Sequence, residues 1–518
     1  MNLANQSRRS FLKQTLASAS LLAVSSSLCG AFQPANAREE DSLWKKLPRW
    51  RGFNLCEKFT LQQNSPFHES DFQNISDLGF NFVRLPMDYR TWINGDDILS
   101  FKESTFAEID QAIEFGKKYG VHVCLNFHRA PGYTVNTPPE PKSIWEDSEI
   151  LDICKTHWQT FAERYKGISN NDLSFNLFNE PAGCTEEDYK QVVASIMDGI
   201  RSEDPNRLVI CDGLNWGMKP CHSLKELKVA QATRGYAPME ISHWGASWVN
   251  SKDFPPPQWP MTTFNALVPS TGKKEMPERL RLPLSLTGDF KDFSELKFVV
   301  KQVSNRANLV VRFNGKENFR KNFVCGPGEG EWKKAQYVEQ YKIYANEYDM
   351  EISLPLPSDA QIIEILVDDG DWLTISKISL CRPNGSDVVA IGSPDWQATE
   401  QTTLQLVSDK TGPRLIGSEV KDKNWLIENQ IKPWESLAQT GVGVMVGEFG
   451  AYNKTPHDIV LAWLEDQLSN WSECGWGWSL WNFRGSFGVA DSGRTDVQYK
   501  EWRGLNIDEK MLALLSRY

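Results

Sequence analysis

The sequence predicts an α/β fold, a (β/α)8 TIM barrel with an all-β, sandwich-like domain inserted after its sixth strand. Three observations predict it. Short apolar runs alternate with amphipathic helical patterns from 51 to about 245 and again from 424 to the C-terminus, which implies parallel strands joined by right-handed crossovers. Residues 280–395 instead read as strand-rich and helix-poor. Outside that stretch the strand-like runs number eight, over about 330 residues, which fits a closed barrel.

The elements follow in order. Strand runs are expected at "RGFNL" (51–55), "FNFVRLP" (80–86), "VHVCLNFH" (121–128), "LSFNLFNE" (173–180), "RLVICDG" (207–213) and "MEISHW" (239–244). Helices are expected at 105–120 and 185–204, the second opened by Thr185 and an acidic first turn. "DFPPPQWP" (253–260) is a Pro-rich exit into the β-rich stretch, where "FNG" and "DDGD" (368–371) read as turns between strands. The barrel pattern then resumes with a helix pair broken near Pro433 and a strand at "GVMVGEFG" (443–450). A long helix (457–475), a strand at "WGWSLWNF" (476–483) and a terminal helix (507–518) complete it. The expected domains are therefore a barrel from 38–263 and 412–518 and an inserted module from 264–411.

The N-terminal 37 residues read as an export signal: Arg8-Arg9 in "SRRSFLK", a Ser-rich apolar run too short to span a membrane, and the small-x-small site "ANA" at 35–37. Twin-arginine export to the periplasm or the outside is expected. The chain is 518 residues long, 24% charged, with net charge −11, and removing 1–37 leaves −14. Such an acidic chain is a poor match for nucleic acid or anionic lipid, while a neutral sugar would not be repelled. The nine cysteines beyond residue 37 lack regular spacing, and a passenger folded in a reducing cytoplasm should keep them as thiols. A monomer is expected.

Chemistry in a (β/α)8 barrel gathers where the strands end. The residues there are Arg84, His128, Asn179 with Glu180, His243 with Trp244, Glu448 and Trp481. Glu180 and Glu448 are two carboxylates on strands across the barrel mouth, the pairing that glycoside hydrolysis with retention requires. Arg84 beside Glu448 would hold it ionised, and burial would raise the pKa of Glu180. Asn179 could donate to a sugar 2-hydroxyl, and Trp481 offers a flat apolar face to a pyranose ring. Phe487, Asp491 and Arg494, in the loop after the last strand, are further candidates, with a self-satisfied Asp–Arg pair as the alternative.

"VRLP" with Arg84, "NFH" with His128, "LFNEP" with Asn179-Glu180 and "VGEFG" with Glu448, followed by "WGWSLWNF", resemble glycoside hydrolase family 5, the cellulase family, over roughly 48–263 and 415–518. The resemblance implies Glu180 as acid/base and Glu448 as nucleophile, with Arg84, His128, Asn179 and His243 in support and Trp481 as the sugar platform. It implies no metal and no organic cofactor, and a β-linked oligo- or polysaccharide as partner. Many members carry His-x-Tyr at strand 6, the Tyr donating to the nucleophile. Read from "SHWGASW", this sequence departs from that pattern, with Gly245 where the Tyr would be.

The inserted module could bind sugar through Trp332, Tyr341, Tyr344 and Trp372, or these could be its core. "DDGD" lacks the spacing of a calcium loop. The leading expectation is a secreted retaining endoglucanase-like hydrolase, with mannanase or exo-glucosidase specificity open. A catalytically silent carbohydrate-binding protein on the same barrel, and a metal-assisted hydrolase using His128 and His243, are the competing readings.

Overall fold

The computed structural model describes residues 43–251, 254, 257–384, 387–409, 412–417 and 419–518, so the expected export signal lies outside the described residues. Eight parallel strands close a barrel in chain order. They are β1 (Arg51–Asn54), β2 (Phe82–Asp88), β3 (His122–Arg129), β4 (Leu173–Asn176), β5 (Val209–Asp212), β6 (Ala230–Gly235), β7 (Val444–Phe449) and β8 (Trp478–Leu480). β1 pairs with both β2 and β8, which completes the ring. The strands are buried on both faces, as a parallel sheet under a helical layer must be.

The helices α1 (Glu69–Asp77), α2 (Glu103–Tyr119), α3 (Ser148–Arg164), α4 (Glu186–Glu203), α5 (His457–Glu473) and α6 (Glu509–Arg517) form the outer layer. Their ends are written in the sequence. Thr185 and Asp188 form a reciprocal capping box at the start of α4, and α2 stops at Gly120, whose φ of +67° suits a residue without Cβ. Between strands and helices the core is aromatic: Phe127 on β3 stacks at 3.9 Å on Trp158 of α3. The helical segment before β7 contains a π-turn at Ile427–Ile431, just ahead of Pro433, whose missing N–H prevents a regular α-helical hydrogen bond there.

One strand expectation is corrected. The sixth barrel strand is Ala230–Gly235, and "MEISHW" is not a strand: Met239–Ser242 is a single helical turn that starts after Pro238. Its alternation of apolar and polar residues suits a strand, but the run is too short for period to decide. His243 and Trp244 therefore lie in the loop beyond β6, not at a strand end.

Among the described residues, the twelve strands between β6 and β7 belong to a second sheet. Its spine is two long strands, Glu295–Phe313 and Ile362–Cys381, paired antiparallel along their length. Both halves of the first, Leu296 and Phe298 as well as Val311 and Phe313, enter one apolar core, so the sheet bends over on itself. The sheet reaches beyond 264–411, from Met261 to Lys421. Asn314-Gly315, with φ of +48° and +78°, makes the expected tight hairpin. "DDGD" is not a turn. It is an irregularity inside Ile362–Cys381, where Gly370 passes so close to Arg306 that a Cβ would sit 2.2 Å from its carbonyl oxygen. Its carboxylates answer basic or amide groups, Asp368 with Arg320 and Asn308 and Asp369 with Arg306.

The module rests on the barrel through Trp259 Nε1 to Asp466 Oδ2 (2.9 Å) and Lys421 to Glu240 (3.3 Å). The nine cysteines among the described residues are free. No helix among those residues is long and apolar enough to cross a membrane.

Candidate active site

Past the end of β4 the chain turns sharply, and Glu180 takes a φ of +53°, the left-handed region that a side chain disfavours. Its neighbours hold it there. Asp212, at the end of β5, accepts from the Glu180 N–H at 3.0 Å, and the Tyr133 hydroxyl donates to the Glu180 carbonyl at 2.6 Å. Strain of this kind persists only where surrounding contacts over-determine it, and it gathers at functional sites.

Glu448, on β7, is 3% exposed. Its Oε1 accepts from Arg84 Nη1 at 2.5 Å and Arg234 Nη2 at 3.2 Å, and its Oε2 accepts from the Tyr236 hydroxyl at 3.2 Å. Arg84 reaches across from β2 and also donates to Asn54, Asn176 and Asn179. Asn179 Oδ1 accepts from both Arg84 and Arg234, which leaves its Nδ2 as a buried donor without a partner among the described residues.

Arg234 is the residue that joins the two carboxylates. Its Nε donates to Glu180 Oε1 at 2.9 Å while its Nη2 reaches Glu448, Asn179 and Asp212. Burial works against its charge most strongly, yet Asp212, Glu448 and Glu180 together hold its pKa well above the usual value. Glu180 is pushed up to about 7, first by burial and then by the charge of Glu448, with Arg234 pulling the other way. The Tyr236 hydroxyl is raised well above its ordinary value by burial and by Glu448, so it stays a donor.

The remaining candidates divide. His128 and Trp481 stack on one another at 5.5 Å with Phe59 beside both. Burial, with help from Arg84 and Arg234, keeps His128 neutral, and its Nδ1 has no partner among the described residues. His243 packs edge-on against the Tyr236 ring at 5.2 Å, behind Glu448, and bonds Ser242. Burial lowers its pKa to about 4. Phe487 packs on Tyr236, His243 and Trp248. Asp491 and Arg494 do not pair: Asp491 accepts from Asn506, and Arg494 is buried against the carbonyls of Thr455, Ala451 and Tyr452. His128 and His243, the proposed ligands of the metal reading, thus sit in separate aromatic clusters.

Sequence reasoning missed Arg234, Tyr236 and Asp212, the first two because the sixth strand was set at the wrong segment. It also missed Trp216. Asn215 and Trp216 are both left-handed (φ +53° and +57°), the Trp216 N–H donates to the Pro181 carbonyl beside Glu180, and the indole is 59% exposed. Of the module's aromatics, Trp332 lies against the module core, Tyr344 pairs with Tyr337 and Trp372 with Trp396, and Tyr341 is exposed. A separate cavity of 450 Å³ in the module is lined by Asn265, Asp395 and Thr402 among others, and by neither Glu180 nor Glu448.

The family model for cellulase, glycosyl hydrolase family 5, matches residues 37–237, the span that carries Arg84, His128, Asn179, Glu180 and Tyr236. Over its first six strands the barrel is similar to glycosyl hydrolase family 5. Endoglucanase C of Acetivibrio thermocellus is 26% identical over 187 residues, which is 35% of this chain and 54% of that protein. Cellodextrinase A of Ruminococcus flavefaciens is 24% identical over 212 residues, 38% of this chain and 61% of that one. The chain thus spans little more than half the length of these curated relatives. A crystal structure of a glycoside hydrolase superposes over 90% of this chain and 99% of its own, with TM-score 0.58 and 26% identity. Thermotoga maritima Cel5A in complex with mannotriose, at TM-score 0.50 and 16% identity over 92% of this chain and 99% of its own, shares the fold.

In family 5 terms the apparent departure at Gly245 is resolved. Gly245 lies in the loop after β6, and the segment ending β6 reads Arg234-Gly235-Tyr236 where many members have His-x-Tyr. The Tyr bond to the β7 carboxylate is present, from Tyr236. The departure falls two residues earlier, where Arg234 stands in place of the His.

Proposed function

We propose that the protein is a retaining glycoside hydrolase that cleaves β-linked glucans or related oligosaccharides by double displacement. The observation that carries this is the pair of carboxylates held by one guanidinium, one of them poised as an acid and the other surrounded by cationic and hydroxyl donors. The named activities of the related endoglucanase C and cellodextrinase A favour a β-glucan.

In the first step Glu448 attacks the anomeric carbon. Its Oε1 is taken by two arginines, so Oε2, which accepts only the Tyr236 hydroxyl, is the oxygen with a lone pair to give. As the bond from the anomeric carbon to the leaving oxygen breaks, Glu180 gives that oxygen its proton, a task suited to a carboxyl with a pKa of about 7. In the second step Glu180 takes a proton from water, the water oxygen bonds the anomeric carbon, and Glu448 leaves with its electron pair. Asn179 Nδ2 and His128 Nδ1 serve the hydroxyls of the bound sugar, Trp481 faces its ring, and Trp216, beside the acid, receives the leaving sugar. Export by the twin-arginine route fits a polymeric substrate outside the cell.

Glu180→Gln and Glu448→Gln test the assignment. Each should lose hydrolysis of cello-oligosaccharides by about 10²–10⁴-fold or more while the protein stays folded. NMR of the first-formed product should give the β-anomer. Full activity in either variant, or an α-anomer first, overturns the proposal.

A further inference from the structure

The charge around Arg234 does not add up without a proton, and the missing proton identifies what this arginine is for. Three carboxylates meet at the mouth, Glu180, Asp212 and Glu448, against two guanidiniums, Arg84 and Arg234. Asp212, Arg84 and Arg234 are at most 2% exposed and Glu448 is 3% exposed, so solvent screens little of this. The other groups facing the cluster are neutral donors: Tyr236 from the end of β6, Asn179 beside Glu180 and the unprotonated His128 of β3. Two cations balance two anions. In the resting site, therefore, one carboxyl holds a proton, and the one at the more exposed edge, 16% exposed and paired with Arg234 but not with Arg84, is Glu180.

We infer that Arg234 is a positioning residue that switches Glu180 from acid to base by changing partners during the reaction. This rests on the double-displacement reading above. When Glu448 bonds the anomeric carbon it becomes a neutral ester, and the Glu180 proton has left with the leaving oxygen. Arg84 and Arg234 now face Asp212 and Glu180 alone, and the cluster is balanced only while Glu180 is ionised. Glu180 is then the base that the second step requires. When water gives its proton to Glu180 and Glu448 departs as a carboxylate, the resting balance returns. A neutral side chain at 234 would leave Asp212 and Glu180 sharing Arg84 in the intermediate, so Glu180 would keep a proton and deglycosylation would stall. Asp212 is thus the buried counter-ion that Arg234 requires, and the two form a unit where a His stands in many relatives.

The test uses full-length protein and 2,4-dinitrophenyl β-cellobioside, whose leaving group needs no acid. Arg234→Met should keep the initial burst of dinitrophenol but lower the following steady rate at least tenfold at pH 6. Azide, which attacks the intermediate without a base, should restore that rate and give the β-glycosyl azide. Arg234→Lys, which keeps the charge but not the forked contacts, should retain more of the steady rate than Arg234→Met and respond less to azide. Asp212→Asn/Arg234→Met, which returns the count to one cation and one anion in the intermediate, should regain most of the rate without azide and also covers the case in which Arg234→Met alone does not fold. A steady rate in Arg234→Met, or in the double variant against Asp212→Asn, that ignores both the charge count and azide overturns the inference. If the unaltered protein itself releases the α-anomer first, it is the double-displacement reading that has failed.

Discussion

The barrel mouth and the β module use the same charged residues to opposite effect. At the mouth, Arg84 and Arg234 are almost completely buried and are shared among three carboxylates. In the module, Arg306 pairs with Asp369 at 2.5 Å, a distance equal to that of Arg84 to Glu448, but the two side chains are 49% and 63% exposed. Water and salt screen the second pair and leave it worth little, whereas removing one partner of the first strands a charge in a low-dielectric interior. Geometry alone does not rank ion pairs; burial does.

Four measurements sharpen or break that contrast, in order of expected effect. Arg84→Met should destabilise the protein by about 3–5 kcal/mol in denaturant unfolding, since Glu448 and Asp212 lose a buried partner. A midpoint equal to that of the unaltered protein would mean that water reaches the mouth. The next effect is on pH dependence. Burial and Glu448 raise the Glu180 pKa to about 7, so the acid form is present below that pH and lost above it. With unactivated cello-oligosaccharides, kcat/KM should fall about tenfold per pH unit above 7, and with a dinitrophenyl leaving group this fall should vanish. A smaller effect is expected for Trp216→Ala: KM for long oligosaccharides should rise about fivefold to tenfold with kcat little changed, as loss of a stacking face implies. Arg306→Ala should change neither the unfolding midpoint nor turnover, and a loss of stability there would undo the comparison.

Much of this was legible from sequence, for a physical reason. Seven of the eight barrel strands carry large buried apolar residues, among them Val, Leu, Ile, Phe and Trp, and a polar residue that ends such a run needs a purpose. Arg84, Asn179, Glu180 and Glu448 were found that way, and the structure brings them into one hydrogen-bonded network. β6 was hidden because "AQATRG" contains no large apolar residue. It is buried all the same: Gln231 is satisfied by the backbone of Cys221, and Arg234 by the carboxylates. Polar residues satisfied by partners distant in sequence cannot be told from loop residues by composition. The signal that would have found it was "RGYAP", eleven residues upstream of "GASWV", with its Tyr at the spacing from an Arg where many family members have a His. "DDGD" misled for a related reason: a glycine among acidic residues reads as a turn, but here it marks two strands passing too closely for a side chain.

The position of the module also bears on how the site comes together in time. Tyr236 and Glu448 touch, yet the whole module lies between them in the chain. Its two ends meet as paired strands, Met261 opposite Lys421. Once the module has folded, the connection between β6 and β7 shortens to about a quarter of its length, which lowers the loop-closure cost by about 1.2 kcal/mol. The expected order of assembly is the inserted sheet first, the last two barrel strands after it. On refolding, hydrolytic competence should then trail the formation of the module, a part of the molecule that holds neither reacting carboxylate.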